Sequence, residues 1–218
     1  IETVKAEGHH FSELNWKTIG VVIFNAKSAK KYHEFLDSIP LRVVKILYWR
    51  EAHYPSITPD IQAKFDIIMG TQFTDAVSNP CHYPYGFRED NILPVVDVPF
   101  VKRTHLAVHI SSRCYGKDGF RNNFVERLGE LMDVEFYGKC YTNEYDLRVP
   151  DMHASREKMK KFYSNFKYYI AVENTGTNDY VSEKIFNGLG SGAIPVYLGA
   201  NNIDKFPKLD GHSKWFIN

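Results

Sequence analysis

The sequence is short of several things at once. It has three cysteines in 218 residues, too few for a scaffold built on disulfides. It has no charge excess: 27 Lys+Arg against 26 Asp+Glu leave a formal net charge of +1. Binding along a phosphate backbone normally shows as a clear basic surplus, so nucleic acid is not expected as the main partner. No apolar run reaches the ~20 residues needed to span a bilayer, and no secretory leader is visible. The longest uncharged stretch, Ile185 to Ile203, is interrupted by Gly188, Gly190, Gly192, Pro195 and Gly199, and reads as helix, turn and strand. Nine histidines show no HExxH or other metal-ligand spacing, so no metal site is expected. Walker, GxSxG and GxGxxG patterns are absent too, Gly188-Leu189-Gly190-Ser191-Gly192 falling at the end of a helical pattern rather than at its start.

What is present is the composition of a globular protein, with 44% hydrophobic and 24% charged residues, which excludes disorder and low complexity. Strand and helix signals alternate. Thr18 to Phe24 is a continuous apolar run, as for a strand buried on both faces. Asn25 can cap a helical pattern over 26–38 that stops at Pro40. Strands follow at Val43 to Trp49 and Phe65 to Gly70, flanking a loop with Pro55 and Pro59. Residues 72–94, rich in Asn, Pro, Tyr and Gly, read as a long irregular connection. The alternation then restarts with a strand at Leu106 to Ile110. A helix follows that aligns Phe120, Phe124, Leu128 and Leu131, then a strand at Val134 to Tyr137. After it come a basic helix over 154–164, a strand at Phe166 to Val172, a helix from about Val181, and a strand at Ile194 to Leu198. The expected class is α/β with mostly parallel sheets in two halves, 1–98 and 99–218. The chain opens on Ile1 and closes on an apolar Trp215-Phe216-Ile217 triplet before Asn218, which reads as a piece of a longer protein, its second lobe incomplete.

Open parallel sheets bind ligands beyond the carboxyl ends of their strands. After Phe166 to Val172, a polar loop runs into a helix start with Asp179 as a possible cap and Lys184 in the first turn. A cation there opposes the helix dipole unless an anion sits beside it. Arg121 has the corresponding place after the 106–110 strand. Together the two cations could clamp a diphosphate, or both could be solvated surface residues. Glu51, directly after the second strand, is placed for a general base or is a plain surface carboxylate. His53 and His109 are further candidate bases.

The segment Tyr168-Tyr169-Ile170-Ala171-Val172-Glu173-Asn174, then Asp179-Tyr180-Val181-Ser182-Glu183-Lys184 and Gly192-Ala193-Ile194-Pro195-Val196-Tyr197-Leu198-Gly199, resembles the donor-binding signature of the α-1,3-fucosyltransferases, glycosyltransferase family ten. Ser111-Ser112-Arg113-Cys114 with Arg121, Phe136-Tyr137-Gly138-Lys139-Cys140, and Glu51-Ala52-His53-Tyr54-Pro55 are similar to further family segments. The likeness runs over about 42–210 and is strongest from 104 onward. It implies a GT-B-like architecture of two Rossmann-like lobes, an acceptor-side lobe at 1–98 and a GDP-fucose-binding lobe at 99–218. It implies inverting transfer of L-fucose from GDP-β-L-fucose to an acceptor glycan or glycoprotein, in α-1,3 linkage to GlcNAc, with no metal and no further cofactor. By residue, it gives the diphosphate to Arg121 and Lys184, donor hydroxyl or phosphate contacts to Asn174, Tyr180 and Glu183, and the role of general base to Glu51.

It also implies a membrane anchor outside this piece, a place in the Golgi lumen, and a disulfide between Cys114 and Cys140. Departures are Ser182 where the family has Thr, Arg113 where it has Asn, and Gly70-Thr71-Gln72-Phe73-Thr74-Asp75 in place of an arginine-bearing segment, which leaves the acceptor class open. Two other readings stand beside this one: a catalytically silent glycan- or nucleotide-binding module, and a transferase for another nucleotide sugar.

Overall fold

The computed structural model describes residues 14–31, 33–49, 57–71, 80–82, 94, 97–111, 120–138 and 156–203. The chain divides into two compact units, 1–83 and 84–218. Residues 97–103, which straddle the 98/99 boundary read from the sequence, pack within the second unit. The Arg103 guanidinium, almost fully buried, donates to the carbonyls of Val98, Phe166 and Ser191 at 3.1, 2.9 and 3.3 Å. Phe100 meets Tyr168 edge to face.

In the first unit, β1 (Val21–Asn25), β2 (Val44–Tyr48), β3 (Ile67–Gly70) and β4 (Pro80–His82) form a parallel sheet in the order β1-β2-β3-β4. Strand β4 falls inside the stretch expected to be irregular. It has three residues, pairs Ile68 with Pro80, and begins on the proline, an edge position where a missing N–H is tolerated. The helical pattern over 26–38 resolves into α1 (Ala26–Lys31) and a 3-10 turn, His33–Ser38. A short helix, α2 (Pro59–Gln62), occupies the expected Pro55–Pro59 loop, with Pro59 pre-setting its first turn.

Strand order here advances in one direction only, and right-handed crossovers put the connections from β1 to β2 and from β2 to β3 on the same face. Residues from α1, the 3-10 turn and the α2 region, among them Ala29, Leu36, Ile39 and Ile57, pack with Phe24, Leu47 and Ile68 in one core. The other face is thinly covered: Val21 is 49% and Ile23 63% exposed. The apolar run at β1 is therefore buried on one face, not two.

The second unit is wound differently. Its parallel sheet has the order β6-β5-β7-β8, from β5 (His105–Ile110), β6 (Val134–Tyr137), β7 (Phe166–Val172) and β8 (Ile194–Leu198). Helix α3 (Phe120–Leu131) lies between β5 and β6 and packs Phe124, Val125 and Leu128 against Ala107, Val134, Ile170 and Val172. Val125 and Met132 share that buried face, which leaves the expected face residue Leu131 at its edge, 72% exposed. Helices α4 (Arg156–Tyr163) and α5 (Glu183–Leu189) bring Phe162, Tyr163, Ile185, Phe186 and Leu189 to a second core with Val108, Tyr137, Phe166, Tyr169 and Ala171. The chain steps from β5 outward to β6, then returns past β5 to β7. Crossovers therefore change face between β5 and β7, and a crevice opens there at the carboxyl ends of the strands.

Candidate donor site

At that switch point two strands end on polar groups. From β5, His109 is buried and its Nδ1–H donates to the Ile170 carbonyl at 3.0 Å. A carbonyl only accepts, which fixes the proton on Nδ1. Burial first, and then the charges of Arg121 and Lys184, hold His109 down at about 4 against the opposing effect of that hydrogen bond, so the ring is neutral at pH 7. From β7 come Glu173 and Asn174. The Glu173 amide donates to the Leu198 carbonyl at 2.8 Å, continuing the β7–β8 ladder one residue past the strand.

Arg121 reaches the site from the first turn of α3. It lies three and four residues before Phe124 and Val125, on the helix's buried face, and is 3% exposed. Its Nη1 donates to Asn174 Oδ1 at 2.5 Å. Lys184 arrives from the start of α5. Its Nζ donates to Glu173 Oε2 at 2.9 Å and to Ser182 Oγ at 2.7 Å, and lies 3.6 Å from Glu183 Oε1. Burial pulls the ammonium down, yet the carboxylates of Glu173 and Glu183 outweigh it, and Lys184 is raised above its ordinary value. The anion expected beside Lys184 is thus already supplied by the protein, and α5, with seven residues, is short. Arg121 and Lys184 each act electrostatically on His109, and Arg121 acts on Lys184, so the two cations share one neighbourhood.

The loop between β7 and α5 is held at several points. Asp179 does not cap the helix: it takes a left-handed conformation (φ 66°), which a short polar side chain tolerates. Its amide donates to Asn202 Oδ1 at 2.8 Å, and Asn202 Nδ2 donates back to Asp179 Oδ1 at 2.6 Å. Ser182 takes the cap position without a side-chain capping bond, because its hydroxyl is turned to Glu173. Tyr180 is buried; its amide donates to the Thr177 carbonyl and its own carbonyl accepts from the Tyr197 hydroxyl at 3.4 Å. Glu183 is half exposed. After β8, Gly199 leaves room for a close approach: a Cβ there would fall 2.5 Å from both Glu173 Cγ and Tyr197 Oη.

Of the residues singled out from sequence, Arg121, Asn174, Tyr180, Glu183 and Lys184 all belong to this one region. Glu51, His53, Arg113, Cys114 and Cys140 lie outside the described residues. Sequence reasoning gave no role to Glu173, a carboxylate with no exposed surface, nor to the Asp179–Asn202 clamp. The signal for Glu173 was available: a charged residue closing a seven-residue strand whose last four positions are buried. Among the described residues, no three His, Cys, Asp or Glu side chains group as metal ligands, and no helix is long and apolar enough to cross a membrane.

The model for the C-terminal region of glycosyltransferase family 10 (fucosyltransferase) matches residues 100–213, just over half of the chain and all of the site described above. The chain belongs to glycosyltransferase family 10. Family-10 relatives include an alpha-(1,4)-fucosyltransferase of Arabidopsis thaliana, 33% identical over 44% of this chain and 26% of the relative. An alpha-(1,3)-fucosyltransferase B of Drosophila melanogaster is 30% identical over 51% of the chain and 26% of its own length. A GDP-fucose protein O-fucosyltransferase 3 of Xenopus tropicalis is 31% identical over 48% and 22%. The chain thus matches about a quarter of the length of each of these relatives. A crystal structure of an alpha1,3-fucosyltransferase with GDP superposes with a TM-score of 0.57 at 16% identity, covering 91% of this chain and 74% of that one. Another, with GDP-fucose, gives 0.57 at 18% identity over 75% and 55%. The family-10 fold here is α/β and GT-B-like, with parallel sheets.

Proposed function

We propose that this chain forms the core of an inverting fucosyltransferase that takes L-fucose from GDP-β-L-fucose and moves it to a hydroxyl of an acceptor glycan. The observation that carries this reading is the pair of cations, Arg121 buried and Lys184 with 16% of its side chain exposed, brought from two helices to the β5–β7 switch point. Lys184 is held by the buried Glu173 and Arg121 by Asn174, and both cations stand where a parallel sheet receives a ligand. Two fixed positive charges in a water-poor crevice suit a diphosphate, and they stabilise it most when it leaves with an extra negative charge.

In this reaction Glu51 takes the proton of the acceptor hydroxyl. The oxygen attacks the anomeric carbon of fucose from the side opposite GDP. The bond from that carbon to the diphosphate oxygen breaks, its electron pair passes to the β-phosphate, and β configuration becomes α. Arg121 and Lys184 receive the charge. Asn174, oriented by Arg121, and Glu183, exposed beside Lys184, are the groups assigned to donor hydroxyls or phosphate, with Tyr180 lining the loop that presents them. Arginine and lysine perform the charge neutralisation themselves, so transfer is expected to persist in EDTA.

The relatives that share this half of the chain are named for alpha-(1,4), alpha-(1,3) and protein O-linked transfer. What those names have in common is fucose, which supports assigning the donor to the shared half. The acceptor we propose is GlcNAc, in α-1,3 linkage. The test is labelled GDP-fucose with an acceptor panel, beside a melting experiment. GDP-fucose should raise Tm and UDP-galactose should not. Equal stabilisation by UDP-galactose would refute the donor. Donor binding without transfer to any acceptor would favour a silent binding module, and transfer to a folded protein domain alone would replace the GlcNAc acceptor.

A further inference from the structure

The two cations that define the site repel one another, and burial works against the charge on Lys184. In the absence of a diphosphate, something must keep a mostly buried ammonium beside a guanidinium. The group that does so is a carboxylate with no exposed surface. Glu173 Oε1 accepts the Ser182 amide at 2.7 Å, and Oε2 accepts the Ser182 hydroxyl at 2.6 Å and the Lys184 ammonium at 2.9 Å. Gly199 behind it and Leu198 beside it fix its backbone and Cγ.

We propose that Glu173 is a positioning residue for the diphosphate: it holds the Lys184 ammonium beside Arg121 against their repulsion, so that the cation pair is assembled before the donor arrives. The inference rests on the reading of this crevice as the donor site. The geometry leaves Lys184 able to serve two partners. An ammonium has three N–H donors; one goes to Glu173, one to Ser182 Oγ, and a third remains for a phosphate oxygen. A site whose charges are already in place costs no reorganisation when the leaving group develops its charge. The charged and titratable groups acting on Lys184 are Glu173, its neighbour Glu183 and Arg121, with His109 close enough to feel its field. Glu173 itself also acts on the buried hydroxyls of Tyr169 and Tyr197, both raised chiefly by burial.

Glu173→Gln keeps the shape and removes the charge. The amide oxygen can still accept from Ser182 N–H and the amide nitrogen can donate to Ser182 Oγ, so the main loss is the nearer of the two carboxylates that pair with Lys184. Two readouts follow. Observed by NMR of the Lys184 side chain, the ammonium should titrate lower in the variant than in the parent. GDP, measured calorimetrically at pH 7, should bind about tenfold more weakly in the variant. The same substitution in a Lys184→Ala background should cause no further loss, because both changes remove one arrangement.

An unchanged Lys184 titration would overturn the proposal. So would GDP binding as tight as, or tighter than, the parent's, or a loss that simply adds to that of Lys184→Ala. Should the glutamine variant not fold, Glu173→Asp keeps the charge and retracts it by one methylene. Positioning then calls for GDP binding several-fold weaker than the parent's, and parent-like binding would overturn it. If the unaltered protein binds no GDP, the donor reading fails while the Lys184 titration still decides on Glu173.

Discussion

At the residue scale the site is a set of charges whose states are fixed by burial and by one another. His109 gives a direct test through its linkage to stability. An ordinary histidine titrates near 6.5, whereas burial beside two cations holds His109 at about 4 in the folded protein. Between those values the unfolded chain binds the proton and the folded chain does not. The contribution is therefore fully present above pH 6.5, falls as pH drops toward 4, and levels off below it, costing about 3 kcal/mol in all. Denaturant melts across pH 7 to 4 should show that loss, and His109→Gln should flatten it. If Lys184 holds the diphosphate as proposed, Lys184→Ala should weaken GDP by roughly 10- to 100-fold, as titration calorimetry would report. Glu51→Gln should leave GDP binding intact and abolish transfer; loss of GDP binding in that variant would make Glu51 a structural residue.

The elements explain how much could be read beforehand. Phe166–Val172 stands as a strand because burial on both faces over its last four residues leaves an apolar signature broken only by Lys167, while Ile194–Leu198 is apolar throughout though buried only at alternate positions. Three-residue β4 leaves none, and its opening proline argues locally against a strand; pairing with β3 decides the matter. Arg121 and Lys184 were legible as cations early in strand-following helices. Their convergence was not, because it depends on the return of the chain from β6 to β7, which no local pattern records. The cap was misplaced for a related reason. Asp179 and Ser182 are equally good capping residues in isolation, yet Asn202, 23 positions after Asp179, claims the aspartate side chain. Gly199→Ala tests the same level of organisation. A methyl pressed into Glu173 and Tyr197 should cost about 1–3 kcal/mol by thermal unfolding and weaken GDP binding alongside.

Over the whole molecule the two units follow different winding rules, and their tolerance to change should differ accordingly. Ile23 faces outward, away from the core formed by the connections from β1 to β2 and from β2 to β3, while Phe24 next to it is buried. Ile23→Thr should shift stability by less than about 0.5 kcal/mol, whereas Phe24→Ala should cost about 3–5 kcal/mol in chemical denaturation. The second unit's order carries a kinetic consequence. Its central pair joins His105 to Phe166, and that alignment must close over the entire β6 excursion before the β5–β7 crevice exists. Pairings between distant segments form late, because the entropy of closing the loop is lost before contacts repay it. Helix α3 and strand β6 can form beside β5 early, from neighbouring chain, but no diphosphate can be held until β7 has slotted between β5 and β8. In a refolding experiment, competence to bind GDP should therefore emerge with the slowest phase, after most helical signal has returned, since the crevice is the last part of the unit to come into being.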